Sequence, residues 1–115
     1  MSIYKIEANI RPDKAVAVRE ALHAVDVTMV TVIECRGSGR VPIPGHSFRA
    51  GSHNDGLVHR LRLDIIVSEP FLEKTVEAIR TAACTGEVGD GKIFIIPVQE
   101  VVRIRNNDRG VPALQ

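Results

Sequence analysis

The chain predicts an α/β (α+β) fold in which two helices lie on one face of a four-stranded antiparallel sheet, and three observations predict it. Its two halves each read strand, proline-opened helix, strand. Each helix carries one apolar stripe spaced three and four residues apart, so each buries a single side. The strands alternate or turn wholly apolar, which demands cover on at least one face. At 115 residues, with 44% apolar and 25% charged content, the chain forms one domain, able to bury roughly two thirds of its unfolded surface.

Ile3 to Ile10 alternates and reads as the first strand. Arg11-Pro12-Asp13 turns it into a helix, with Pro12 pre-setting the helical φ and Asp13 in the first turn. Ala15, Val18, Leu22 and Val25 form that helix's buried stripe, and Arg19 and Glu20 point away. Asp26 to Arg36, with Val27, Met29, Val30, Val32 and Ile33 among threonines, reads as the second strand. Leu61 to Val67 is the third, and Ser68-Glu69-Pro70 repeats the strand-to-helix device with Ser68 as N-cap. Leu72, Val76, Ile79 and Ala83 make the second stripe. Lys92 to Val98 is the fourth strand, Gln99 to Arg105 reads as a short fifth, and Asn106 to Gly110 as a polar tail. The order βαββαβ gives the ferredoxin-like plait. Its second sheet face is too apolar to remain in water, so oligomerisation, with sites between subunits, is expected.

Between Gly37 and about Arg60 periodicity vanishes, and five glycines and two prolines interrupt a polar run. Loops beyond roughly 12–15 residues are uncommon and usually functional or disordered. A projecting loop, about 40–60, that orders on binding a partner is the natural reading.

Several classes are excluded or disfavoured. A net charge of +1 gives no argument for nucleic acid or membrane surfaces. The aromatics Tyr4, Phe48, Phe71 and Phe94 are not paired on any strand, as RNA stacking needs. No apolar run approaches the roughly 18 residues that span a bilayer, and the first residues lack a signal-peptide core. A cytoplasmic protein is expected. Cys35 and Cys84 form no C-x-x-C pair and read as buried thiols. His46, His53 and His59 fall in or beside the loop, but their spacing matches no structural zinc pattern. No metal site is expected.

The chemistry concentrates in Thr85-Gly86-Glu87-Val88-Gly89-Asp90-Gly91-Lys92. Three glycines within it let the backbone curl and gather N–H groups toward an anion, and Lys92 adds a point charge. Arg103 and Arg105 lie two residues apart, on one face of the expected fifth strand. Together these groups make a polyanion site. From Gly86 the spacing fits G-x-x-x-x-G-K, the start of a Walker A loop. Ile93 follows, however, where the magnesium-binding hydroxyl would stand, and a strand follows in place of a helix, so a P-loop NTPase is rejected.

The stretch Thr85 to Phe94 with Val101-Val102-Arg103-Ile104-Arg105 resembles the PII signal-transduction proteins. Arg11-Pro12, Arg19 to Leu22, Thr31 to Glu34 and Gly37-Ser38-Gly39-Arg40 fit in the same register. The resemblance covers nearly the whole chain. It implies a homotrimer that binds adenine nucleotides in three clefts between subunits, and a long T-loop that docks on a target transporter or enzyme. Carried over by position, the phosphate-binding loop 85–92 holds phosphates through Gly89, Asp90, Gly91 and Lys92, and Arg103 and Arg105 of the C-terminal segment 99–115 reach the same phosphates. Gly37, Gly39 and Arg40 close the cleft, Thr31 and Asp64 sit near the nucleotide, and Arg60 stands where the family has a lysine.

Departures from the family reshape the specific function. Val41 replaces the glutamine that helps organise Mg-ATP and 2-oxoglutarate, and valine can neither bind a metal nor hydrogen-bond a keto acid. The modified tyrosine is replaced around His53, and Phe48 occupies another tyrosine's place. ADP or AMP is therefore expected ahead of ATP, without control by 2-oxoglutarate or uridylylation. Bicarbonate is the candidate second effector, at an anion site of Arg40, Val41 and Arg60. The chain is expected to be a regulator, not an enzyme. Alternatives are a conventional nitrogen-regulatory PII protein, sensing ATP, ADP and 2-oxoglutarate, and a weak nucleotide hydrolase.

Overall fold

The structure is a computed structural model that describes residues 1–38 and 56–115. Strand β1 spans Ile3–Ile10, and Arg11 in extended backbone leads into a 3-10 turn, Pro12–Lys14, continued by helix α1, Ala15–Ala24. Strand β2 spans Thr31–Gly37 and β3 Val58–Ser68; helix α2 spans Glu69–Ala83 and β4 Lys92–Val98. The four strands form one antiparallel sheet in the order β2-β3-β1-β4. This is the expected plait.

Even-numbered residues of β1 and odd-numbered residues of β3 face the helices. Ile6, Ala8, Ile10, Leu61, Leu63, Ile65 and Val67 pack there with Val18, Leu22, Ile79 and Ala83, all buried. Ala15, Val25, Leu72 and Val76 complete the two stripes from partly buried positions. Thr75 was not anticipated in this interface, yet it is fully buried. Its hydroxyl donates to the Phe71 carbonyl at 2.6 Å, the back-bond by which a threonine satisfies itself inside a helix.

Local expectations were revised at several places. Residues 27–30 are irregular, and β2 begins at Thr31, where pairing to Asp64 starts. Ser68 has extended backbone before α2 but makes no side-chain cap bond. Val58–Arg60 already belong to β3, so Arg60 is a strand residue. No fifth strand forms from Gln99 to Arg105. A single Val102–Arg109 bridge and bonds from the N–H of Arg103 to the Asp108 carbonyl, 2.8 Å, and of Gly110 to that of Val101, 3.0 Å, fold 101–110 into a tight turn. Asn107, at φ 62°, supplies its left-handed corner. The thiols are not buried: Cys84 is exposed, and half-buried Cys35 donates weakly to the Arg60 carbonyl.

The second sheet face is less uniformly apolar than expected. At its centre Lys5 meets Glu7 at 3.1 Å and Asp64 at 3.8 Å, while Arg62 meets Asp64 at 3.2 Å. Around these ions Ile66, Phe94 and Ile96 remain 38%, 45% and 40% exposed. Apolar residues ringing a satisfied ionic centre are what another copy could cover without leaving a charge unpaired.

Candidate functional site

The glycine loop lies between the end of α2 and the start of β4, and one carboxylate organises it. Asp90 Oδ2 accepts from the N–H groups of Thr85, at 2.8 Å, and Gly86, at 2.9 Å. Its Oδ1 accepts from the Thr85 hydroxyl at 2.5 Å and from Arg11 Nε at 3.0 Å. The Thr85 hydroxyl and amide, then the Arg11 guanidinium, hold the Asp90 carboxyl far below the usual carboxylate range. Thr85 Oγ also accepts from the Glu87 N–H at 3.1 Å. Thus Thr85, Gly86 and Glu87 spend their amides inside the loop.

Gly86, Gly89 and Gly91 all have positive φ, at 88°, 103° and 101°, where a side chain is strained. They differ in surroundings. A Cβ on Gly86 would meet nothing, whereas one on Gly91 would run into the Asn9 carbonyl of β1. Gly91 is therefore a glycine because the loop must lie against β1 before β4 can pair with it. Next to it, Lys92 opens β4 opposite Asn9. Among the described residues its ammonium has no ion-pair or hydrogen-bond partner, and neither has the N–H of Gly89.

The strand register gathers more of the anticipated residues. Thr31 pairs with Asp64, Asp64 with Glu7, and Glu7 with Phe94; Arg62 and Lys92 flank Asn9 in the adjacent row. Since side chains alternate, Thr31, Arg60, Asp64 and Lys92 share the sheet face opposite the helices. Arg62 grips Asp64 with both Nε and Nη2, each at 3.2 Å. Arg60 donates to the His59 carbonyl at 3.3 Å, and Gly37 closes the strand pair opposite Val58. Gly39, Arg40 and Val41 lie outside the described residues.

Arg103 and Arg105 do not share a strand face. Arg103 binds its own C-terminal segment: Nη1 donates to Asp108 Oδ2 at 2.7 Å, and Nη2 to the carbonyls of Pro112 and Gln115 at 2.7 and 2.6 Å. Arg105 is exposed in the turn. Lys92 starts β4 and both arginines follow its far end, where Val98 pairs with Ile3. At 3.3 Å per residue this seven-residue strand is roughly 20 Å long.

Arg11 was not singled out as a site residue. Besides Asp90 it holds the Val88 carbonyl, through Nη2 at 2.8 Å. Partners 77 and 79 residues apart leave no trace in periodicity or spacing. Only the coexistence of a β1-end arginine with an aspartate among glycines could have suggested it. The described residues contain no group of His, Cys, Asp or Glu able to hold a metal, and no helix long and apolar enough to cross a membrane.

A ferredoxin-like plait with a carboxylate-braced glycine loop and an unpaired lysine at one sheet end is the class of protein that fold and site define. The family model described as "Nitrogen regulatory protein P-II" matches residues 3–108, and the chain belongs to that family. It is 40% identical over 110 residues to the nitrogen regulatory protein P-II of Azospirillum brasilense, covering 96% of this chain and 98% of the relative. With the nitrogen regulatory protein GlnK1 of Methanosarcina mazei it shares 38% over 109 residues, 93% of each chain. The crystal structure of Arabidopsis thaliana PII bound to citrate superimposes with a TM-score of 0.81 at 35% identity, covering 97% of this chain and 92% of that one.

Proposed function

We propose that the protein is a cytoplasmic homotrimer that binds adenine nucleotides, ADP or AMP and also ATP, between subunits, and controls a target transporter or enzyme through the loop at 40–60. The observation that carries this reading is the separation of its cations. Lys92 opens β4 and the arginine pair follows its far end, so one copy's lysine and another copy's arginines are the natural pair to converge on one polyanion. A citrate-bound PII structure supports a small polyanion as the ligand class.

Subunit mixing tests this. Lys92→Ala alone, or Arg103→Ala with Arg105→Ala, should each weaken ADP binding by about 1.5–3 kcal/mol, the scale of charged hydrogen bonds. If the site is shared, co-refolding the two variants rebuilds intact clefts, about one in four for random trimers. Calorimetry that finds no recovery would place the site within one copy, and wild-type affinity in the separate variants would remove the phosphate roles altogether.

The names of the relatives favour a second reading, a conventional nitrogen-regulatory protein responding to 2-oxoglutarate. Val41 and the cations Arg40 and Arg60 favour bicarbonate as the second effector. Titrating the ADP complex with each anion separates the two. Hydrolysis finds no support in the loop's own acid, because the Asp90 carboxylate already accepts four hydrogen bonds and is a poor base.

A further inference from the structure

We propose that Arg11 is a positioning residue for the glycine loop, aiming the Gly89 N–H outward at a phosphoryl oxygen of the bound nucleotide. The inference rests on the nucleotide reading above and deepens it. Its geometric basis is the peptide between Val88 and Gly89. That unit is planar and trans, so its C=O and N–H point in opposite directions. Arg11 Nη2 holds the Val88 oxygen at 2.8 Å, and the Gly89 N–H must therefore point away from Arg11. Nε of the same guanidinium holds Asp90 at 3.0 Å, so one rigid fork fixes both sides of Gly89. Arg11 is itself fixed: it follows β1 directly, at φ −65° and ψ 138°, and its carbonyl accepts from the Lys14 N–H at 3.0 Å.

The three amides before Val88 are used within the loop, and Gly89 has φ 103°. This residue can rotate its peptide more easily than any with a side chain. Without a clamp on the Val88 oxygen, the amide best placed to meet an anion is also the one freest to turn from it. Arg11 removes that freedom before the ligand arrives, and preorganisation of this kind raises affinity without touching the ligand. The side chain's charge is neutralised by Asp90, so its contribution is geometric, and lysine, which lacks the planar fork, should not replace it.

The test compares Arg11→Lys and Arg11→Ala with Lys92→Ala in the full chain. ADP affinity is read by calorimetry and the Gly89 amide by heteronuclear NMR. Arg11→Lys keeps the charge and is the informative variant if Arg11→Ala fails to fold. The expected result is about a tenfold loss of ADP affinity in Arg11→Lys, the scale of one charge-assisted hydrogen bond. The ADP-induced shift of the Gly89 N–H should be lost even at saturation. Lys92→Ala should also weaken binding but keep the Gly89 shift once saturated, because a missing charge does not reorient a peptide. If Arg11→Lys binds ADP as the wild type does with the Gly89 shift intact, the positioning role is overturned and the nucleotide reading stands. If the wild type binds no ADP, the reading falls and the inference with it.

Discussion

Replacing Gly91 by alanine separates two reasons for a glycine, and the structure sets the magnitude. The residue sits at φ 101°, and a methyl there would overlap the Asn9 carbonyl oxygen and approach its carbon to 2.8 Å. Carbon contacts are comfortable from about 3.5 Å, so the carbon alone demands a shift of roughly 0.7 Å. The obstacle is backbone, held in register by the Asn9–Lys92 pairing, and it cannot swing aside as a side chain would. The left-handed conformation costs about 1–2 kcal/mol for an L-residue. Losing one or two bonds at the end of the β1–β4 ladder adds about 1–2 more. Gly86→Ala faces the same φ penalty in open space and should cost only the first amount. Urea unfolding of both variants at equal protomer concentration measures the difference; with slopes of about 1–3 kcal/mol per molar, Gly91→Ala should move the midpoint by about 1–2 M. Equal losses in the two variants would refute the close-packing argument.

Three further outcomes follow from the same geometry. Because the folded Asp90 pKa is depressed, its contribution is fully present above the ordinary aspartate value of about 3.9 and is lost as pH falls toward the folded value. Asp90→Asn should therefore lose stability less steeply than wild type below about pH 4, and parallel urea midpoints from pH 7 to pH 2.5 would contradict it. Thr75→Val should stay within about 1 kcal/mol of wild type, since the Phe71 carbonyl keeps its helical bond and the volume is conserved; Ile79→Ala, at a fully buried core position, should cost about 2–5 kcal/mol by thermal or chemical unfolding. Arg103→Ala removes three hydrogen bonds to the C-terminal segment and should speed hydrogen exchange at Gly110 and Ala113 about tenfold or more while leaving the core amides unchanged.

What could be read from the sequence follows the range of the interactions involved. β1 and β4 are bounded at Ile3–Ile10 and Lys92–Val98 as expected, because alternation ends at Arg11-Pro12 and begins after a glycine cluster. The helix stripes were legible for the same reason, except that Thr75, a polar residue on the buried face of α2, has no apolar signature. The end of the chain was misread because Val101 to Arg105 alternates as a strand would, yet its bridge is to Arg109 of the same segment and not to an edge of the sheet. Hydrogen bonds around Asn107 and Gly110 curl it into a turn. Arg103 could not be assigned these partners from the sequence, since its acceptors include the main-chain oxygens of Pro112 and Gln115, in the segment that follows the turn.

Asp90 shows why composition singled out the glycine loop but not its internal logic. An aspartate within a cluster meant for anions looks like an error of charge if every residue there must touch the ligand. Its four donors resolve the conflict. The carboxylate is an internal anion around which the first half of the loop closes, and it takes up the amides of Thr85 and Gly86. The same closure recruits Arg11, which cancels the carboxylate's charge and leaves Lys92 as the unneutralised cation of the loop. A negative residue thus prepares a positive site, and the ligand's competitor for the loop amides is built into the chain. On the proposed reading, an external anion would meet the amides that Asp90 leaves over, foremost that of Gly89, and would present its charge at the Gly89–Lys92 side.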